Sequence, residues 1–350
     1  MALSATLNFA FGSLDAFLDT GIQGLHARML SAGWTLVEEL SAVVGAQDRV
    51  YYSVGESGEQ ALWLRATHDS ATDRLHFRAY SCWVAGAPGT GYNAVGDILG
   101  NTCVQLVNGV MQGWIIADAD GVTIVADIDG GTTYNKGFFG AVTPSVPLQR
   151  GFYGRLAGQA TGVNQTGTTT LLFAAGTDFS DVQAGQQLWV VNQSITSGPG
   201  NVERVQVDSI NVGARTIELN AALTEDYDAL AIVAIDPQPI VLWGSSAGVL
   251  PATAVALHHT DAYASTTVTR TSLADGIGLS ALATEDYGHI HLSPNVFYDD
   301  TAGRQHVKGE TPRVVRPFTG PLIALDDVVV SADTYRAFPD GAGFFCVLET

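Results

Sequence analysis

A mainly β fold is what this chain predicts: an antiparallel, β-sandwich-like host domain with one N-terminal helix and an inserted small β-barrel or sandwich domain. Three observations predict it. The 39 glycines among 350 residues divide the chain into short runs, and Gly suits tight turns far better than helix interiors. Within those runs β-branched and aromatic residues recur with period two. Hydrophobic residues reach 46% against 15% charged, enough apolar surface for a packed core and too little charge for a disordered chain. At 350 residues the chain exceeds the usual single core, so at least two domains are expected. The division is a discontinuous β-rich host, residues 1–157 and 237–350, and an inserted β domain, residues 158–236.

Taken in order, the helix comes first. Leu14, Phe17, Leu18, Ile22, Leu25 and Met29 recur at helical spacing over 13–31, with Ser13 as the cap and Gly33 as the stop. Its apolar face is expected to cover the following sheet. Trp34 to Leu40 reads as a strand. A meander follows: Val50-Tyr51-Tyr52-Ser53-Val54, a Gly-Glu-Ser-Gly turn, Ala61 to Ala66, and Leu75 to Tyr80. The stretch Ala85 to Asn101, rich in Gly and carrying Pro88, reads as a long docking loop. The hairpin 114–127 and the strand 133–142 are expected to complete this first sheet.

Five short strands mark the insert: Thr168 to Phe173, Gln187 to Val191, Val202 to Val207, Thr216 to Leu219 and Leu230 to Ala234. Ile240 to Trp243 resumes the host, so the two ends of the insert should lie close together. The final third returns to strands at 266–269, 290–292, 314–315 and 343–348.

Composition excludes some classes. A formal net charge of −19 argues against a protein that grips nucleic acid through its phosphates. No run has the length and apolarity to span a bilayer, and the N-terminus has no basic region followed by an apolar stretch, so neither membrane insertion nor secretion is expected. Cys82, Cys103 and Cys346 lack metal-type spacing and read as three buried thiols.

Several patterns touch on chemistry. Gly244-Ser245-Ser246-Ala247-Gly248 matches G-x-S-x-G after an apolar strand, with Asp261 and His289 in hydrolase order, but Pro251 interrupts the helix such a nucleophile needs. A Gly-Ser turn is the preferred reading. His289 and His291 share a strand face and His258-His259 lies nearby, without a third metal ligand at recognisable spacing. Asp118, Asp120, Asp127 and Asp129 could offer oxygens to calcium, yet Asp-Gly is also ordinary turn chemistry. Glu38-Glu39, Glu225-Asp226 and Glu285-Asp286 are carboxylate pairs, but neighbours on a strand face opposite ways. A Thr-Glu-Asp-Tyr core recurs at 224–227 and 284–287 and is read as two similar strand-end turns. The reading therefore assigns no catalytic, cofactor-binding or metal residue and expects no enzyme.

One resemblance remains. The hairpin Trp114 to Asp127 meets at Asp118-Ala119-Asp120-Gly121, followed by Tyr134-Asn135-Lys136-Gly137-Phe138-Phe139-Gly140 and the prolines 144 and 147. With Asp48 to Gly58, Phe77-Arg78-Ala79-Tyr80, Trp83, Gly91-Tyr92-Asn93 and Arg336 to Gly341, this resembles bacteriophage virion structural proteins of the tail or baseplate type. The resemblance implies symmetric assembly in the virion, built in the host cytoplasm, with copies of itself, other virion proteins and a host surface glycan as partners. The alternatives are a carbohydrate-binding adhesin, with Trp189 or Tyr227 stacking on sugar rings, and a serine esterase built on Ser246.

Overall fold

The computed structural model describes residues 4–11, 18, 24–56, 62–80, 82–92, 94, 96, 102–107, 111–142, 156–159, 166–177, 179, 182–191, 202–227, 232–235, 240–245, 248, 250, 253–257, 266–272, 292–299, 306–317, 323–330, 333–340 and 343–348. In chain order the elements begin with β1 (Ser4–Phe11), α1 (Leu25–Ser31), β2 (Thr35–Ser41), β3 (Asp48–Ser53), β4 (Leu62–Asp69), β5 (Arg74–Tyr80), β6 (Cys82–Val84), β7 (Thr90–Tyr92) and β8 (Cys103–Gln105). There follow β9 (Met111–Ala117), β10 (Gly121–Asp127), β11 (Tyr134–Ala141), β12 (Leu156–Gln159), β13 (Thr170–Leu172), β14 (Gln187–Val191), β15 (Val202–Asn211), β16 (Thr216–Leu219) and β17 (Ile232–Ile235). The last are β18 (Ile240–Gly244), β19 (Thr253–Leu257), β20 (Thr266–Ser272), β21 (Leu292–Asp299), β22 (His306–Pro317), β23 (Asp327–Val330), β24 (Asp333–Asp340) and β25 (Gly343–Leu348). The fold is mainly β and sandwich-like, as the sequence predicts.

Two sheets build the first core, where the sequence suggested one. The sheet β2-β3-β4-β5-β8 is separate from a twelve-stranded sheet ordered β1-β9-β10-β11-β18-β19-β20-β21-β22-β25-β24-β23. Alternation in β4 and β5 explains the layering: Leu62, Leu64 and Ala66 with Leu75, Phe77 and Ala79 turn inward, against Ile115, Ile124, Phe139 and Leu242 of the larger sheet. The Phe77 and Phe139 rings stack with centroids 3.9 Å apart. Each large side chain buried in this way contributes about 1.5–3 kcal/mol. The reverse face of β9–β11 and β18 is buried too. There Trp114, Ile116, Val125, Phe138, Val241 and Trp243 pack against Phe338, Phe345 and Val347 of the C-terminal hairpin. Burial on both faces is why β10 and β11 are buried at every position instead of alternating.

Residues 13–17 and 19–23 of the predicted helix lie outside the described residues, Leu18 is helical, and α1 holds the C-terminal part of the pattern. It is shown as Leu25–Ser31, entered from Gly24 in an extended conformation and without a side-chain cap. Gly24, extended at the N-cap, marks where α1 begins. Ser13 lies outside the described residues. Leu18, Leu25 and Met29 still enter the core, so the face assigned to sheet cover does that work.

The strands of residues 156–235 form a six-stranded sheet of their own, β12-β17-β14-β15-β16-β13. β15 pairs with β14 through its first half and with β16 through its second, and a register shift between Val207 and Ser209 bends it. The two halves enclose a core that includes Leu171, Phe173, Leu188, Val190, Val207, Ile217 and Tyr227. Both ends of this segment meet at paired strands. Leu156 is the register partner of Ala234, and on the larger sheet Ala141 is that of Ile240.

Candidate functional site

The G-x-S-x-G segment lies beside a buried lysine. Tyr134, Lys136 and Phe138 share the β11 face that carries the second core, so the Lys136 side chain enters an aromatic layer and is 0% exposed. Its Nζ donates to the carbonyls of Gly248 at 2.5 Å, Pro339 at 2.6 Å and Tyr134 at 3.2 Å, and stands 3.5 Å from the buried Asp340 carboxylate. Asp340 in turn accepts the Leu250 N–H at 2.8 Å. Asn135, pointing the other way, accepts the Gly248 N–H and donates to the Gln105 carbonyl. Ser245 is buried and its N–H continues the ladder to Lys136. A Cβ on Gly244 would fall 2.2 Å from the Cys103 carbonyl oxygen, so close strand approach accounts for the glycine that opens the motif. This is a structural clasp joining β11, the turn after β18 and the C-terminal hairpin. Ser246, Asp261 and the four histidines singled out from sequence lie outside the described residues.

The acidic turns are self-satisfied. Asp118 accepts from the N–H groups of Asp120 and Gly121, and Asp127 from those of Asp129, Gly130 and Gly131. Asp129 is held well below the usual carboxylate range, first by the Thr132 hydroxyl and then by Thr133. Among the described residues no group of three or more His, Cys, Asp or Glu is placed to hold a metal ion. Glu38 and Glu39 diverge as neighbours on a strand must, Glu38 to Trp83 and Gly89 and Glu39 to Arg49, while Asp226, outside any strand, accepts from Thr166. Glu285 and Asp286 are outside the described residues. Cys103 and Cys346 are buried thiols, the second pushed up to about 12 by desolvation, while the Cys82 side chain is not among those described.

Tyr227 is 1% exposed inside the core of the six-stranded sheet, which removes it as a stacking platform. Its hydroxyl is buried with no hydrogen-bond partner, and burial raises its pKa. The side chain of Trp189 is outside those described.

A different aromatic group stands out on the outer face of the five-stranded sheet. Trp63 and Arg65 of β4 point away from the main core, between the inward Leu62, Leu64 and Ala66. Trp63 joins Val50, Tyr80 and Trp83, with Val37, Leu40 and the half-buried Tyr52 packed alongside. The Tyr52 and Trp63 rings lie 4.4 Å apart, and Tyr80 meets Trp83 edge-on at 5.1 Å. Beside them Arg65 donates two hydrogen bonds to Asp48, whose Oδ1 also takes the Thr67 hydroxyl. Asp48, and then Tyr80, raise the guanidinium above its ordinary pKa.

The predicted docking loop lies here, and it contains a strand. β6 and β7 form a two-stranded ribbon that folds onto its own sheet. One carboxylate fastens it: Glu38 accepts the Trp83 indole N–H and the Gly89 N–H, each at 2.8 Å. A Cβ at Gly89 would fall 2.0 Å from Glu38 Oε2, and one at Gly91 would fall 2.3 Å from the Tyr80 ring. Glycine is thus required for the ribbon to lie flat. Sequence reasoning missed this site, although its signal was present: Tyr52, Trp63 and Tyr80 occupy the face opposite the leucines, so both faces of the meander are apolar.

No family model and no curated protein matches the chain. No helix among the described residues is long and apolar enough to cross a membrane.

Proposed function

We propose that the chain is a structural component of a bacteriophage particle, of the tail or baseplate type, which works by assembly with copies of itself and other particle proteins and performs no turnover. The observation that carries this reading is the placement of apolar side chains at hairpin tips. Val43 and Val44 are 66% and 72% exposed between β2 and β3, and Val212 is 67% exposed between β15 and β16. Large apolar residues at the tips of two separate sheets gain about 1.5–3 kcal/mol each when a neighbouring subunit covers them. The acidic balance of the chain keeps such a component soluble before it docks.

Mass photometry of the purified chain, followed by imaging of any ring or trimer, tests the reading. A closed oligomer that dissociates when Val43 and Val44 are both changed to Ser is the expected result. A monomer at every concentration, unchanged by that substitution, overturns it.

A further inference from the structure

We propose that the outer face of the five-stranded sheet, beneath the ribbon of residues 82–92, is a saccharide-binding site. The inference stands apart from the assembly reading, because it rests on a single chain and its own side chains.

Three observations carry it. First, aromatic rings gather here on the face of the sheet turned away from the main core, and Tyr52 is only half-buried. The C–H face of a pyranose packs against the electron-rich face of such a ring, while its hydroxyls remain free for polar contacts. Second, Trp63 Nε1 is buried with no hydrogen-bond partner. A buried donor without an acceptor is unfavourable, and a sugar hydroxyl admitted beside it supplies the missing oxygen. Third, the Arg65–Asp48 pair with Thr67 lies on the same face, two and four residues along β4 from Trp63. It offers fixed donors and acceptors at the edge of the apolar patch, the usual composition of a site that orients a small polar ligand.

The ribbon serves as a strap. Its two strands pair with each other and with no other described strand, so lifting it breaks no ladder of the larger sheets. The Glu38 carboxylate holds both its base, through Trp83, and its turn, through Gly89. Release of that one carboxylate exposes Trp63 to solvent and ligand together.

Chitotriose, maltotriose and cellotriose are the probes, titrated into the whole protein with tryptophan fluorescence and calorimetry as readouts. At least one should bind saturably. Trp63→Phe keeps a ring and removes the N–H, so affinity should fall by about tenfold, the scale of one lost hydrogen bond. Tyr52→Ala, at a partly buried position and with its fold checked by near-UV circular dichroism, should lower affinity as much or more. Glu38→Gln loosens the strap and should speed association several-fold. Tyr227→Phe removes an equally unpartnered donor from the separate six-stranded sheet and should bind as wild type. Absence of saturable binding of all three sugars up to about 10 mM, or wild-type affinity in both the Trp63 and Tyr52 variants, overturns the proposal. An unchanged association rate in Glu38→Gln overturns the part assigned to the strap.

Discussion

Replacing Lys136 by Met asks how much the clasp contributes. The ammonium is fully buried, and its donors go to the carbonyls of Gly248, Pro339 and Tyr134 more closely than to Asp340. Met roughly matches the volume of the side chain, so packing is largely kept and the loss is electrostatic. It leaves the Asp340 carboxylate without its counter-charge, and removing one member of a buried pair costs about 3–5 kcal/mol. The orphaned carbonyls of Gly248 and Pro339 add about 1–3 kcal/mol each before relaxation, but these terms overlap with the first. A net loss of about 4 kcal/mol is expected. Asp340→Asn should cost less, about 1–2 kcal/mol, because the ammonium keeps its carbonyls and the amide oxygen still accepts from Leu250. Urea unfolding, followed by near-UV circular dichroism from the Trp114 and Trp243 layer, measures both, provided the m-value is unchanged. A Lys136→Met variant within about 1 kcal/mol of wild type, or one less affected than Asp340→Asn, would show that the ammonium does not hold the clasp.

Further outcomes follow from other sites. Replacing residues 143–238 by a short Gly-containing turn should leave the host folded, because Ala141 and Ile240 are already register partners; loss of the near-UV signal of Trp114 and Trp243 would count against the insert reading. Gly244→Ala should destabilise by about 1–3 kcal/mol, since its Cβ meets the Cys103 backbone at 2.2 Å and backbone cannot yield as a side chain does; thermal unfolding measures it. Glu38 is held below its ordinary carboxylate value by the Trp83 indole first, with Gly89, Gly86 and the Arg65 charge assisting against desolvation. Its folded value is the depressed one, so strap closure is fully supported above the unfolded value of about 4.3 and is lost as pH falls through the folded value below it. Hydrogen exchange of residues 82–92 should therefore rise only at acid pH, and Glu38→Gln should abolish that dependence. Tyr227→Phe deletes a buried hydroxyl without a partner and should be neutral or stabilising by up to about 1–2 kcal/mol; a loss of stability would reveal a partner for that hydroxyl.

Much of the strand content was legible because period two survives wherever one face is wet. β3, β4 and β5 lie within two or three residues of the runs read from sequence, β14 and β16 match theirs, and β15 runs four residues beyond its predicted end. What failed was anything set by the partner of a strand. The hairpin Trp114 to Asp127 is apolar on both faces, and alternation cannot say whether it extends the preceding sheet or covers it; the stacking of Phe77 on Phe139 decides that. Leu18, Leu25 and Met29 of the 13–31 pattern do reach the core, but periodicity does not register that Gly24 is extended. At the candidate site, Glu38 was visible only as half of a Glu-Glu pair. Its function comes from Trp83 and Gly89, 45 and 51 residues away, and such a convergence has no local signature.

The clasp also sets an order of events in synthesis. Lys136 and the Pro339 carbonyl that accepts its hydrogen bond are 203 residues apart, which takes roughly 10–40 s to translate at the usual rate of roughly 5–20 residues per second. Throughout that interval the ammonium has no closed site to occupy and must remain hydrated, so the aromatic face around it stays open while the remaining strands emerge. A nascent chain of this protein therefore presents Trp114, Phe138 and Trp243 to the cell before the hairpin that covers them exists. That window is when a chaperone that holds apolar surface would matter most, and when premature contact between growing chains would do the most harm.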